Sequence, residues 1–221
     1  MKTRPILFSA PMVRAILEGR KTQTRRVLSL PDLGFEQAVQ IEGACEWIFW
    51  SCASQDNIRL THAHYKPGDG IPCPHGAPGD RLWVRETWAT HPFNNRIKPS
   101  DLTPGDTSIF YRANEWNDKD QYAWRSPIFM PQWASRIMLE IVNVRVEGVQ
   151  DITRDDALAE GVKPRNGYYE IELPERHHAR AVETNTAVGT FCVLWDCINN
   201  EQGKRWNDNP WVWVIEFKKV V

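Results

Sequence analysis

A short basic segment near the N-terminus holds the side chains best suited to covalent chemistry. One lysine and two threonines lie among three arginines in the run Gly19-Arg20-Lys21-Thr22-Gln23-Thr24-Arg25-Arg26. A lysine that has lost its proton can activate a neighbouring hydroxyl, which makes a nucleophile without histidine or cysteine. The alternative is a solvated basic turn, because runs of charge usually mark solvated faces.

This chemistry requires that Lys21 and Thr24 point to the same place. Residues three apart share a face of a helix but lie on opposite faces of a flat strand. Residues 11–18 carry apolar side chains at helical spacing, and Gly19 is a typical helix end. We therefore expect a two-turn helix, followed by a turn or a bulge in which Lys21 and Thr24 converge.

A second set of candidates follows the turn sequence PGD at residues 78–80. The alternation of residues 82–87 predicts a strand that directs Trp83 and Arg85 to one side. An aromatic ring can stack on a planar ligand and a guanidinium can bind an oxyanion. Trp83 and Arg85 are therefore candidate substrate-binding residues. The alternative is a partly exposed sheet face that the long arginine side chain covers. Further substrate-binding candidates near predicted strand ends are Glu86, Trp88, Tyr111 and Arg136.

The composition favours a cytoplasmic protein. The chain has 221 residues, and 27 Lys and Arg against 28 Asp and Glu give a net charge of −1. No global field therefore attracts nucleic acid or an acidic membrane. The sequence has no run of ~20 apolar residues and its first residues lack the apolar part of a signal peptide, so we expect no membrane partner. Five cysteines, an odd number, fit a reducing compartment.

A metal site is the main alternative to cofactor-free chemistry. Several Cys and His residues lie within about thirty positions, but their gaps are irregular and no Cys-x2-Cys pair is present. We therefore predict a protein without metal or cofactor, with a structural zinc site as the open alternative. Its ligands would come from Cys45, Cys52, His62, His64, Cys73 and His75.

The remaining pattern predicts an α+β fold in a single domain that spans residues 1–221. Residues 29–78 and 89–135 are rich in turn residues, so we predict them to be insertions, and residues 162–185 to be a charged connection. Short helices lie among the strands without regular βαβ alternation, which favours a small mixed barrel. Predicted helices are residues 154–160, with Thr153 as N-cap, and 187–199; predicted strands are residues 5–8, 26–28, 46–50, 57–60, 79–88, 109–113, 137–147 and 211–217.

Four motifs together resemble the ASCH family, in particular the longer members common in bacteria and their prophages. They are LEGRKTQTR at residues 17–25, PGDRLWVRE at 78–86, IT and AEG at the two ends of 152–161, and WVIEF at 213–217. The resemblance implies a PUA-like mixed β-barrel with short flanking helices and loop-rich insertions. It also implies an activity, because the short bacterial ASCH enzymes are metal-independent amidohydrolases that remove the acetyl group from N4-acetylcytidine.

The resemblance further implies a Lys, a Thr and a Glu as catalytic residues, which correspond by motif to Lys21, Thr24 and Glu160. In the implied reaction, neutral Lys21 takes the proton of Thr24, and Glu160 later protonates the departing amine. Burial and the three neighbouring arginines are expected to lower the pKa of Lys21. The same arginines are substrate-binding candidates: Arg20, Arg25 and Arg26.

The alternative function is an RNA-binding module or a ribonuclease that uses the same basic cleft. Arginines and exposed tryptophans would then bind single-stranded RNA, with Tyr111 as the acid–base partner of Lys21. The two functions predict different salt dependence, because phosphate contacts weaken steeply as the ionic strength rises. No feature of the sequence indicates the oligomeric state.

Overall fold

The computed structural model describes residues 1–28, 37–40, 46–50, 71–105, 107–114, 122–174 and 181–220. Strands and short helices in these ranges confirm the predicted α+β class. None of the helices in these ranges has both the length and the apolar character that a membrane crossing requires. The helices are α1 (Ala10–Leu17), α2 (Arg154–Ala159) and α3 (Ala187–Ile198); the strands are β1 (Thr3–Leu7), β2 (Gln23–Val27), β3 (Gln37–Gln40), β4 (Glu46–Trp50), β5 (Ile71–Pro72), β6 (Arg81–Arg85), β7 (Trp88–Thr90), β8 (Ile109–Tyr111), β9 (Met138–Gly148), β10 (Lys163–Arg165), β11 (Tyr168–Glu172), β12 (Ala181–Thr184) and β13 (Trp211–Val220).

The largest sheet has five strands in the order β1-β6-β9-β13-β2. β1 and β6 are parallel, and the other neighbours are antiparallel. The alternation within residues 137–147 and the β-forming residues at 211–217 correctly predict the two long strands, β9 and β13. Among the described residues the sheet stays open between its edge strands, β1 and β2. Arg26 bridges this gap, because its Nη2 donates to the Leu7 carbonyl at 2.6 Å.

The two faces of this sheet bury separate hydrophobic cores. Trp213 and Ile215 of β13 belong to the core that includes α1, whereas Val212 and Val214 belong to the core that includes α2 and α3. Alternate residues of a strand point to opposite faces, so α1 and α3 lie on opposite sides of the sheet. Met12 of α1 packs against both cores. The two helices therefore flank β2, the edge strand that carries the basic segment.

The basic segment enters the sheet earlier than the sequence predicts. A strand is expected at residues 26–28, but β2 begins at Gln23, because its pairing with β13 starts at Glu216. Thr24 therefore lies opposite Ile215 inside the ladder.

The prediction of a charged connection at residues 162–185 is wrong. β10 and β11 form a hairpin there, and β12 pairs with β11. The turn contains Asn166 and Gly167, with φ values of 48° and 86°. An Asn-Gly pair with positive φ is the usual signal of a two-residue hairpin turn, and this local chemistry outweighs the charged composition.

The regions predicted as insertions contain small sheets of their own. β3, β4 and β5 form one sheet, and β7 and β8 form another. β7 includes residues 89 and 90, where the sequence predicts a loop, and Trp88, the last residue of the predicted strand, is opposite Tyr111 in the ladder with β8. The strand predicted at residues 57–60 lies outside the described residues.

Local sequence sets both ends of α2. Thr153 and Asp156 form a capping box, with Asp156 N 3.1 Å from Thr153 Oγ1 and Thr153 N 3.2 Å from Asp156 Oδ2. After the helix, Gly161 has a φ of +110°, which glycine adopts far more readily than other residues. Glu160 is the C-cap residue between the helix and this glycine. Its position is therefore fixed from both sides.

We predict that Gly161→Ala destabilises the protein by about 1–3 kcal/mol, because a residue with a Cβ is strained at this φ. The added Cβ would also lie 3.3 Å from the Cβ of Ala15. Urea unfolding measures the loss. Gly203→Ala is the matched control, since Gly203 has a φ of +78° but no atom within 4 Å of the added Cβ. Equal losses in the two variants would show that the contact with Ala15 has no effect.

Candidate active site

Lys21 lies in the turn that joins α1 to β2. The main-chain N–H groups of Arg20 and Lys21 both donate to the Ala15 carbonyl, at 2.9 and 3.0 Å. The turn ends before β2 begins at Gln23. The expected helix end is confirmed, so the direction of the Lys21 side chain is not tied to the alternation of the strand.

A buried ion pair joins Lys21 to Glu160. Lys21 Nζ is 2.6 Å from Glu160 Oε2 and donates a second hydrogen bond to the Glu160 main-chain carbonyl at 3.0 Å. The exposed fractions of the two side chains are 0% and 3%. Burial lowers the pKa of Lys21, the charge and hydrogen bond of Glu160 oppose this, and the charges of Arg26 and Arg25 lower it further. The lysine therefore holds its proton less firmly than an exposed lysine does.

Arg20 does not contribute to this shift of the Lys21 pKa, contrary to the expectation that all three arginines would. Its guanidinium is 2.6 Å from Glu18 Oε2 and donates to the Gly161 carbonyl at 2.7 Å. Arg20 therefore connects the end of α1 to the turn after α2, and its charge is neutralised by Glu18.

Arg25 holds Glu160 from the other side. Its Nη1 is 3.3 Å from Glu160 Oε1, and its Nη2 pairs with Glu147 and lies 3.5 Å from Asp156 Oδ2. The guanidinium lies 5.8 Å from the centre of the Phe191 ring. Because its charge is shared among three carboxylates, Arg25 acts as a clamp that orients Glu160.

Arg145 completes this charge network. Its guanidinium is 2.7 Å from Asp156 Oδ1 and 3.1 Å from Glu147 Oε2, and it also pairs with Glu216. Burial alone would raise the pKa of Asp156, but hydrogen bonds from Thr153 and the charge of Arg25 lower it to about 2. Sequence reasoning missed this network. The available signal was the alternation of Arg145 and Glu147 along β9, which places opposite charges on one face of the sheet.

Thr24 borders a cavity of about 240 Å³ beside the ion pair. The residue is 3% exposed, and no hydrogen bond to its hydroxyl is found among the described residues. Glu160 borders the same cavity, whereas Lys21 lies behind it with both of its hydrogen bonds directed to Glu160. The opposite wall is the apolar side of α3: Phe191, Leu194, Trp195 and Ile198.

Glu86 and Arg136 form a second buried pair. Arg136 Nε and Nη2 are 2.8 and 3.0 Å from the two oxygens of Glu86, which is 1% exposed. Burial raises the pKa of Glu86, and the hydrogen bond and charge of Arg136 oppose this. The Arg136 guanidinium lies 4.1 Å from the centre of the Tyr111 ring. The Tyr111 hydroxyl donates to the Ala134 carbonyl at 2.9 Å, and burial raises its pKa.

The predicted substrate-binding residues therefore fall into separate groups. Arg25 and Arg26 surround the Lys21 pair, whereas the second pair lies beside Trp88, which is fully buried in a small apolar core. No hydrogen bond or ion pair links the two groups in the described ranges. Trp83 and Arg85 share one side of β6 as predicted, but Trp83 is buried and the Arg85 guanidinium covers it at 4.5 Å.

Two of the six residues of the alternative zinc site, Cys73 and His75, lie among the described residues. Cys45, Cys52, His62 and His64 lie outside the described residues. Cys73 is buried and forms no disulfide bond with another described residue. Within the described part of the chain, no group of three or more His, Cys, Asp or Glu side chains is arranged to hold a metal ion.

We predict strong energetic coupling between Lys21 and Glu160. Glu160→Gln should cost about 3–5 kcal/mol, because it leaves a buried charge without its partner. Lys21→Met should cost less, since Glu160 keeps Arg25. The double variant should lose less than the sum, and urea unfolding of all four proteins gives the difference. Strictly additive losses would contradict a stabilising contact between the two side chains.

We also predict that His75 makes the fold sensitive to acid. Burial, followed by the charges of Arg26 and Arg4, lowers its pKa from 6.5 to about 4. The unfolded chain therefore binds more protons than the folded protein in this range, so stability falls as the pH drops below 6.5. His75→Gln should reduce the loss of stability between about pH 7 and about pH 5 in urea unfolding. Equal losses of stability in the wild type and in His75→Gln would exclude His75 as the cause of the acid sensitivity.

Comparison with known proteins identifies no relative of this chain. No protein-family model, no curated protein and no solved structure matches it. The resemblance to the ASCH family thus rests on the sequence motifs.

Proposed function

We propose that the protein is an amidohydrolase that removes the acyl group from an N-acylated nucleoside such as N4-acetylcytidine. The observation that carries this proposal is the buried pair of Lys21 and Glu160 beside a cavity that Thr24 also borders. The three residues are those that the ASCH resemblance implies as catalytic.

The proposal includes a PUA-like barrel as the scaffold. The five-stranded sheet with a parallel pair at one edge supports it. So does the side-chain link from Arg26 to the Leu7 carbonyl, which joins the two edges that a closed barrel would bring together.

The first step needs a base and a nucleophile. Transfer of a proton from Lys21 Nζ to Glu160, across their 2.6 Å contact, gives a neutral amine and a carboxylic acid. Burial favours this uncharged form of the pair. Thr24 Oγ1 then attacks the acyl carbonyl carbon, and Lys21 takes the hydroxyl proton as the new C–O bond forms.

The second step expels the amine. Glu160 gives its proton to the nucleoside nitrogen as the C–N bond breaks, which leaves an acyl ester on Thr24. Lys21 is then an ammonium and Glu160 a carboxylate, which is the charged form of the ion pair.

The third step returns the enzyme to its starting state. Glu160 takes a proton from a water molecule that attacks the ester carbonyl. Lys21 returns its proton to Thr24 Oγ1 as the ester bond breaks, and the acyl group leaves as the acid. The sum of the three steps is amide plus water giving amine plus carboxylic acid.

The charges around the cavity support a hydrolase more than an RNA-binding or ribonuclease function. Arg20, Lys21 and Arg25 are each paired with a carboxylate, and so is Arg136 in the second group. Binding a phosphate at any of these four cations would require breaking its ion pair. Tyr111, the candidate acid–base partner in a ribonuclease, has its hydroxyl engaged by the Ala134 carbonyl.

We predict that the purified protein hydrolyses N4-acetylcytidine, followed by the loss of the acetylated-base absorbance. Thr24→Val should abolish turnover, because it removes the nucleophile and keeps the side-chain shape. Lys21→Met and Glu160→Gln should each lower kcat by about 10²–10⁴-fold, the usual contribution of an acid or base. Melting temperatures of all variants separate lost chemistry from lost folding.

The matched control is Thr22→Val, which removes an exposed hydroxyl from the same segment and should leave kcat unchanged. A Thr24→Val protein that retains turnover would exclude the proposed nucleophile. A wild type that lacks turnover but binds labelled single-stranded RNA, with affinity that falls steeply with salt, would favour the RNA-binding alternative.

A further inference from the structure

The main chain of β2 has unused hydrogen-bonding groups along its outer edge. Phe217 N donates to the Thr22 carbonyl at 2.8 Å and Leu28 N donates to the Trp211 carbonyl at 2.9 Å. In an antiparallel ladder the bonded residues alternate, so Thr24 and Arg26 also direct their main-chain groups toward β13. The N–H and C=O groups of the intervening residues, Gln23, Arg25 and Val27, therefore point away from the sheet.

These outward groups have no partner in the described part of the chain. β2 ends the five-stranded sheet, and no other described strand pairs with it. Buried main-chain polar groups are almost always hydrogen-bonded to protein or water, and an unpaired one is unfavourable. Arg25 is 5% exposed, so its outward N–H and C=O lie in largely buried surroundings.

The cavity beside the Lys21 pair faces this edge. Four consecutive residues of β2, numbers 24–27, line it. A cavity over one face of a strand would touch alternate residues, whereas a cavity at its edge touches consecutive ones. Met12 of α1, which packs against the cores on both sides of the sheet, borders the same space as Phe191 of α3. Both observations put the cavity against the outward N–H and C=O groups.

We propose that the outer main-chain edge of β2 binds the planar acyl-amide edge of the nucleobase. The inference rests on the proposed function and names the groups that recognise its substrate. The N–H of Arg25 donates to the acyl carbonyl oxygen, and the N–H of Val27 donates to an acceptor on the base. The apolar side of α3 packs against the rest of the ligand.

The position of Arg25 N–H next to Thr24 gives it a second role. As Thr24 Oγ1 attacks, negative charge builds on the carbonyl oxygen, and a fixed N–H donor stabilises that charge. The N–H of the residue that follows a nucleophile is an established donor of this kind in hydrolases. The Arg25 side chain, held by three carboxylates, keeps this part of the main chain in place.

The enclosure of the edge favours a small ligand over an added protein strand. The cavity of about 240 Å³ is smaller than the pockets of roughly 300–1,000 Å³ that hold drug-sized molecules. It has α1 on one side and α3 on the other, so it suits a group of nucleobase size. An extended peptide needs an open edge along several residues.

The first test measures binding without turnover. In a Thr24→Val background, Val27→Pro removes one outward N–H, and Val27→Ala is its reference because it loses the side chain but keeps the N–H. Proline is tolerated at an edge strand when its nitrogen points away from the ladder. Calorimetry with N4-acetylcytidine should show roughly 3- to 10-fold weaker binding for Val27→Pro than for Val27→Ala, the loss of one hydrogen bond.

A second variant removes the same N–H without introducing a proline that could disturb β2. Incorporation of the α-hydroxy acid analogue of valine at position 27 replaces the N–H by an ester oxygen without restricting φ. It should weaken binding to a similar extent. Equal affinities of the proline, ester and alanine proteins would overturn the inference.

Amide hydrogen exchange tests the same edge at Arg25 directly. In the free protein the amides of Arg25 and Val27 should exchange faster than those of Thr24 and Arg26, which are bonded to β13. Saturating N4-acetylcytidine should slow the exchange of Arg25 and Val27. The inference would be overturned if the nucleoside does not change the exchange rates of these two amides. It would also be overturned if the Thr24→Val protein does not bind the nucleoside.

The outcomes separate this inference from the proposed function. If the wild type does not hydrolyse the nucleoside but binding still depends on the N–H of Val27, the β2 edge is retained as a ligand site and the hydrolase function is rejected. Hydrolysis with equal affinities of the three Val27 proteins would retain the hydrolase and reject the edge.

Discussion

The buried ion pair of Lys21 and Glu160 is the interaction on which the candidate site depends. Both side chains are removed from water, which is unfavourable for charges unless they are paired and hydrogen-bonded. The 2.6 Å contact, the bond from Lys21 to the Glu160 carbonyl and the contact from Arg25 meet that condition. The same burial brings the charged and neutral forms of the pair closer in free energy, because it disfavours charge. Stability and the proposed proton transfer therefore depend on one arrangement.

The main chain brings the two partners together before their side chains meet. Lys21 and Glu160 are 139 positions apart, and each follows a short helix. Thr22 N donates to the Ala159 carbonyl at 2.9 Å, which ties the end of α1 to the end of α2. The Thr22 carbonyl in turn accepts from Phe217 of β13. The ion pair is thus held by backbone bonds on both sides, so the proposed exchange of a proton within it does not require the fold to move.

Local signals in the sequence are sufficient to predict the helix ends but not the ion-pair partners of the charged residues. The helix ends at Gly19 and Gly161 and the cap at Thr153 are predictable, because each depends on a few neighbouring residues. Arg25 illustrates the limit. Its residue type suggests a substrate-binding cation, yet Glu147 and Glu160 lie 122 and 135 positions away and reach it only through the register of the sheet. Predicting that role requires the order β9-β13-β2, which no local pattern contains.

The charge network beside the cavity, of which Arg25, Arg26 and Glu160 line the cavity itself, bears on which ligand it admits. Lys21, Arg25 and Arg145 pair with Glu147, Asp156, Glu160 and Glu216, and Arg26 acts on Glu160 through its charge, so four cations face four carboxylates. A phosphodiester would add negative charge to this balanced set and compete with a carboxylate for its partner. A neutral nucleoside needs hydrogen bonds and apolar surface instead. The edge of β2 and the side of α3 offer both, which favours a nucleoside over RNA as the ligand.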